Sequence, residues 1–454
     1  MSERKIFYKK VTTLVIPIAF QNFMMAAVSA SDALMLGMLN QDSLSAVSLA
    51  SQVQFILNLF LAALTIGMTV LVAQYWGKKD ITSVEKLFSI VMKISIIISL
   101  LFFIAATFNT EEIMKFFTTD IILIEKGVTY LRIVGISYLL TSISQIYLCM
   151  MKNCGQALKS TIISSLSMIL NIILNAILIF GLWNVPAMGI AGAAIATVIS
   201  KVIELGWVIV ESFKKDRMRI RKKYFSHSDK ILKTDFWKYT LPVLGNELVW
   251  GLGFTMYSVI MGRLGSDAVA ANSMANIVKN IIACVCIGIG GASGIIVGNE
   301  LGKGELNKAK VYGDCLCKLS IIGGIISGVI LLVASPAILN YSALDIEAHR
   351  YLKGMLIMCS YYLIGKSVNS TVIAGIFCAG GDSKFGFKCD TITMWAITVP
   401  LGIISALYLK MPILVVYFII NLDEIIKLPA VYYHYKKYGW VKDLTRENIK
   451  VMDQ

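Results

Sequence analysis

One offset of about 225 residues relates the first half of this chain to the second. Pro17 matches Pro242, Gly37 matches Gly262, Leu39 matches Leu264, Asp42 matches Asp267 and Ala46 matches Ala271. Without a gap, the same offset matches Gly77 to Gly302, Lys78 to Lys303, Gly155 to Gly380 and Lys159 to Lys384. Each copy is half a chain long, so the copies are domains and not the short units of a solenoid. In a membrane chain, duplicated halves point to a transporter whose halves move about a central site.

Composition makes it a membrane chain. Hydrophobic residues make up 57% and charged residues 15%, and mean hydropathy is +0.73. A soluble chain of this length carries about a quarter charged residues. Runs such as 55–76 and 162–182 are long and apolar enough to span a bilayer. The short alternating segments of a transmembrane barrel are missing from the pattern. The N-terminus is basic (Arg4, Lys5, Lys9, Lys10), and the apolar run after it is too long for a cleavable signal, so the first helix is expected to stay as an anchor.

The net charge of +14 does not imply nucleic acid. Lys and Arg gather in alternate loops, most densely at Lys214, Lys215, Arg217, Arg219, Arg221, Lys222 and Lys223, while one opposite loop is acidic (Glu111, Glu112, Asp120). That is a topology signal with contact to anionic lipid. The cysteine pairs Cys284/Cys286 and Cys315/Cys317 lack the spacing and partners of a zinc site, so no metal centre is expected.

Twelve helices fit: 11–38, 45–76, 87–107, 122–151, 158–182, 187–212, 236–264, 270–301, 311–338, 344–379, 385–408 and 411–436. The expected architecture is an all-α integral membrane protein with two six-helix lobes related by internal duplication. The N-lobe covers 1–212, a basic linker 213–235, the C-lobe 236–436 and a tail 437–454. Six helices per copy give both copies the same orientation, so their axis runs along the membrane normal. An even helix count and two basic termini place both ends in the cytoplasm of a multi-pass cell-membrane protein.

Several motifs in order resemble the multidrug and toxic compound extrusion (MATE) family. They are Pro17 with Asp32 and Gly37, the run Gln74 to Asp80, Asn171 to Asn175, and Gly192 to Thr197. The second copy adds Asn246 to Gly251, Gly262 to Gly265, and Gly380-Gly381-Asp382. The resemblance spans nearly the whole chain. It implies export of cationic or amphipathic compounds in exchange for H⁺ or Na⁺, and a role in ion coupling for Asp32. The family motif often has Asp where this chain has Asn175, and a tyrosine where it has Val28. The sodium-coupled branch has a seventh-helix glutamate, which aligns with Trp250, and a tenth-helix aspartate, which aligns with Ser367.

Ionisable groups within a membrane are costly and mark function. Asp32 stands toward the outer end of the first helix. Asn171 and Asn175 lie one turn apart on the fifth helix and share a face, and Thr197 completes a polar cluster with them. Glu247 sits mid-membrane in the seventh helix, one turn from Trp250, and its repeat mate is Asn22. Lys366 lies at similar depth in the tenth helix, so a Glu247–Lys366 pair is expected, with Asn369 one turn along. Asp390, Asp423, Glu424 and Lys427 are expected to form a salt-bridged structural cluster, and Lys201 to pair with Glu204. Met256 and Tyr257 are candidates for an adaptable substrate cleft.

Gly365-Lys366-Ser367 ends like a phosphate-binding loop, but Ser360 stands in place of its leading glycine. His227, His349 and His434 fall in loops or at helix ends, which disfavours a histidine relay. No hydrolase motif stands out. The expected activity is therefore that of a monomeric, non-enzymatic antiporter without a cofactor, the coupling ion being H⁺ or Na⁺. One carboxylate among amides and a lysine-paired glutamate make a poor cage for a hard cation, which favours H⁺. The alternative is a flippase of a lipid-linked saccharide, with Lys366 facing a pyrophosphate.

Overall fold

The computed structural model describes residues 3–214, 224, 229–342 and 344–446. The basic residues from Lys215 to Lys223, His227 and the tail beyond 446 lie outside the described residues. The chain is helical, and no strand occurs among the described residues.

The first copy consists of α1 (Glu3–Leu39), α2 (Gln41–Gly77), α3 (Ile81–Phe108), a short α4 (Thr110–Phe117), α5 (Ile121–Asn153), α6 (Ala157–Phe180) and α7 (Gly189–Ser212). The second begins with α8 (Lys230–Gly262), α9 (Ser266–Gly302) and α10 (Leu306–Tyr341). Its tenth predicted helix is Ile346–Asn369 continued by a π-helical stretch, Ser370–Phe377. The eleventh is Ser383–Asp390, followed by π-helical Thr391–Thr398, Val399–Ile403 and π-helical Ile404–Tyr408. The twelfth is in pieces, Ile413–Ile420, Asp423–Ile426 and Leu428–Lys436. Every predicted segment is thus helical. The short α4 was not predicted.

Among the described residues, nine helices are long and apolar enough to cross a membrane. The seventh, tenth and twelfth predicted helices are not among them. Asn246 and Glu247 interrupt the apolar run of the seventh and Lys366 and Asn369 that of the tenth, while the twelfth is broken into pieces of at most nine residues. The outward face of α10 is continuously apolar and exposed, through Ile322, Ile326, Val329, Ile330 and Val333, as a lipid-facing surface must be.

By contacts the chain forms two compact units. The second unit is Met24–Met68 with Thr82–Thr234. Its helices pack through small polar residues: Ser95 and Ser142 hydrogen-bond at 2.5 Å, and Ser167 donates to the Ser200 carbonyl at 2.8 Å. Small side chains let helix backbones approach closely where the lipid provides no hydrophobic drive.

The first unit is Met1–Phe23, Thr69–Ile81 and Asp235–Gln454, so the start of α1 and the end of α2 pack with the second copy. The repeat is visible in this packing. α2 and α9 are both 37 residues long. A Cβ on Gly77 would lie 2.2 Å from the Asn299 carbonyl oxygen, and one on Gly302 would lie 1.9 Å from that of Gln74. Gln74 and Asn299 are themselves repeat mates, so the two contacts are one contact made twice about a pseudo-twofold axis. On that axis Ala73 meets its own mate, with its Cβ 2.8 Å from the Cβ position of Gly298.

Gly302→Val should therefore cost on the order of 1–3 kcal/mol or more, because backbone and not a flexible side chain stands in the way. Thermal unfolding in detergent reads this. Gly262→Ala, where a Cβ meets nothing within 4 Å, is the control and should change little. Equal midpoints for the two variants would contradict the packing argument.

The chain's last described residues close over this crossing. The buried Gln74 amide donates to the carbonyls of Ala379 (2.7 Å) and Lys442 (3.1 Å), and its oxygen accepts from the Leu444 N–H at 2.6 Å. Trp440 is fully buried, and its carbonyl fits over Gly380, where a Cβ would come within 1.6 Å. Arg446 grips Asp235 with two bonds of 2.8 Å. Lys10 of α1 reaches Glu300 of α9 at 2.6 Å.

Candidate functional site

Asp32 lies in the second unit, where a chain of hydrogen bonds leads to it. The Thr197 hydroxyl donates to the Ala193 carbonyl at 3.0 Å. Asn171 Nδ2 donates to Thr197 Oγ1 at 3.4 Å, and Asn175 Nδ2 donates to Asn171 Oδ1 at 3.3 Å and to Asp32 Oδ1 at 2.5 Å. The i, i+4 spacing of the two asparagines on α6 makes this possible. Both are buried, Asn175 to 1% exposure. The amide nitrogen of Asn175 has spent both its hydrogens, while its Oδ1 is buried without a hydrogen-bond partner among the described residues. A free acceptor therefore sits on the amide that already holds the carboxylate. Tyr130 of α5 stands within electrostatic reach of Asp32 and was missed in the sequence, because nothing local marks it. Asn22 does not join this chain; its amide returns to the Ile18 carbonyl of its own helix at 2.9 Å.

A second cluster lies within the first unit, and it corrects one expectation. Lys366 pairs with Glu424 at 3.4 Å and not with Glu247. Its ammonium also lies 4.9 Å from the centre of the Trp250 ring. The reason lies in the backbone. Gly365 has no side chain, and a Cβ there would be 2.8 Å from the Glu424 carbonyl oxygen, so the twelfth helix comes right up to the tenth. Asn369 Nδ2 then fastens Glu424 through both its carbonyl and Oε2, at 2.7 Å each. Depth along separate helices does not reveal which helices touch. Glu247 remains within electrostatic reach of Lys366 and Asp390 but forms no ion pair among the described residues.

Lys427 bonds Asp390 at 2.7 Å and Glu424 at 3.1 Å, so three of the four residues expected in a salt-bridged cluster are joined, while Asp423 forms no ion pair among the described residues. Lys201 pairs with Glu204 at 2.9 Å as expected. Buried Lys279 lies 4.6 Å from the Tyr362 ring centre. Tyr257 is a packing residue: its hydroxyl meets Thr398 Oγ1 at 2.6 Å and its ring packs on the buried apolar core around Ile260 and Met261. Met256 is partly buried on the same helix.

A family model, MatE, matches residues 17–177 and again 242–404. The two matches begin at Pro17 and Pro242, which are related by the same offset as the repeat. The chain belongs to the MATE family. Similar chains include the uncharacterized transporter YisQ of Bacillus subtilis, 22% identical over 91% of this chain and 90% of its own length. The probable multidrug resistance protein NorM of Thermotoga maritima is 22% identical over 97% of this chain and 95% of its own. Among solved structures, a MOP superfamily transporter from Pyrococcus furiosus superposes with a TM-score of 0.87 at 17% identity, covering 95% of both chains. An outward-facing multidrug resistance MATE family transporter gives 0.85 at 17% identity, again with 95% of both covered. At such identity these structures establish a shared MATE fold.

Within this MATE family chain, the Asp32 cluster is legible in the sequence from helical spacing and depth. The central position of Glu424 is less legible: its signal is the three charges between Asp423 and Lys427, which read as structural.

Proposed function

We propose that this MATE family chain exports cationic or amphipathic compounds across the cell membrane in exchange for protons, with Asp32 as the proton carrier. Its relatives named as probable multidrug resistance proteins support the substrate class. The basic ends of the chain support cytoplasmic termini.

One observation carries the ion choice. Asp32 is the only carboxylate of its hydrogen-bonded chain, and the Asn175 amide offers it one donor and one vacant acceptor. An ionised carboxylate only accepts, whereas a protonated one also donates. Once protonated, Asp32 can donate to Asn175 Oδ1 while still accepting from Nδ2, which gives a closed acid–amide pair. An aspartate at position 175 would add a second charge there instead. A hard cation prefers several oxygens, and these groups present only one charged ligand.

In the cycle, substrate binds in the inward-open state and a proton from outside binds Asp32. The proton shifts the balance between states by the difference in its affinity for them, which releases substrate outward. The reading as a lipid-linked saccharide flippase gains no support from Lys366, whose charge is engaged by Glu424.

Dye efflux from vesicles reconstituted with the wild-type protein tests this, first under a pH gradient and then under a Na⁺ gradient. Efflux should follow the pH gradient. Efflux driven by Na⁺ alone would overturn the ion choice, and no gradient-dependent movement would favour the flippase.

A further inference from the structure

Three carboxylates and two ammonium groups meet where the last three helices of the chain pack: Asp390, Asp423 and Glu424, with Lys366 and Lys427. All but Lys366 are buried, Asp423 to 2% exposure. Glu424 receives Lys427, Lys366 and Asn369, and Asp390 receives Lys427. Asp423 receives nothing: it forms no hydrogen bond or ion pair among the described residues, and its Oδ1 is buried and unpartnered.

The other groups facing Asp423 do not change this. On its own helix it sees Glu424 and Lys427. From neighbouring helices it sees Lys366, Tyr361 and Tyr362 of the tenth, Asp390 of the eleventh, Lys279 of α9 and Tyr257 of α8. Lys279 and the nearby Glu247 add one charge of each sign, so one carboxyl remains in excess. A buried, uncompensated charge costs several kcal/mol, and a carboxyl escapes that cost by keeping a proton.

The backbone around the cluster is irregular. The helix Ile413–Ile420 stops short and resumes at Asp423. A π-helical stretch starts directly after Asn369 and another directly after Asp390. Such stretches recur at functional sites, and broken membrane helices mark ion pathways.

We propose that Asp423 is a second proton-binding site, holding a proton at neutral pH and exchanging it during transport. The exchange during transport rests on the proton-antiport reading; the bound proton does not.

Infrared difference spectroscopy of purified protein tests it without a substrate. Solvent-exposed aspartates are ionised at neutral pH, so a carboxylic-acid C=O band that shifts with carboxyl-[13C]aspartate labelling reports a buried protonated aspartate. In the Asp32→Asn background one such band should remain, and adding Asp423→Asn should abolish it. Should that variant not fold, Asp423→Glu keeps the carboxyl, and the band should lose its isotope shift. Absence of the band in the Asp32→Asn background, or its survival through both substitutions at position 423, overturns the proposal. Na⁺-driven efflux with the band intact would refute proton antiport alone.

Discussion

Asp32→Asn should abolish pH-driven dye efflux, lowering the initial rate roughly tenfold or more, while dye binding to the purified protein stays near wild type. The substitution keeps the size of the side chain and an oxygen to accept the 2.5 Å bond from Asn175. It removes only the ability to gain and lose a proton. A coupling ion can shift a conformational balance only by its differential affinity, and a group that binds no proton has none. A variant that keeps half the wild-type rate under the same gradient would end the assignment of Asp32. Asn175→Leu makes a useful companion. It removes the donor to the carboxylate and the waiting acceptor together, and should impair efflux while leaving Asp32 in place.

Lys427→Met should be the most destabilising single change in the second cluster, costing about 3–5 kcal/mol. Its side chain is 3% exposed, and its ammonium holds both Asp390 and Glu424. Removing it leaves two carboxylates buried with one partial counter-charge, Lys366. The loss should be read as a drop in thermal midpoint in detergent. Adding Asp390→Asn to Lys427→Met should recover a substantial part, because it takes away one of the stranded charges. Additive losses in the double variant would mean that the two groups do not act as a pair. Removal of Lys115 from its exposed pair with Glu111 should do nothing comparable, since water and salt screen that contact.

Much of this was legible because it repeats or recurs along one helix. The offset that matches Gly77 to Gly302 also predicts that they lie on equivalent sides of an axis, and both press a carbonyl of the opposite copy. Asn171 and Asn175 could be joined to Thr197 and Asp32 from helical spacing and depth. Lys366 could be recognised as needing a partner, but not given the right one. Its partner sits beyond a helix break at Asn421, and the close approach depends on a missing side chain at Gly365. Residues 437–446 read as a polar tail because they have no apolar period. Their order comes from single long-range fits, such as Trp440 over Gly380, that no local pattern encodes.

Those closing residues also bear on how the protein is made. The end of α2 is inserted early, yet Gln74, Tyr75 and Lys78 find hydrogen-bond partners in Lys442, Leu444, Thr445 and Arg446, which are made at least 367 residues later. Until then, the early helices must wait in the bilayer with buried polar groups unmet. A nascent chain halted just before Trp440 would contain every helix named above and still leave the Gln74 side-chain oxygen without the Leu444 N–H.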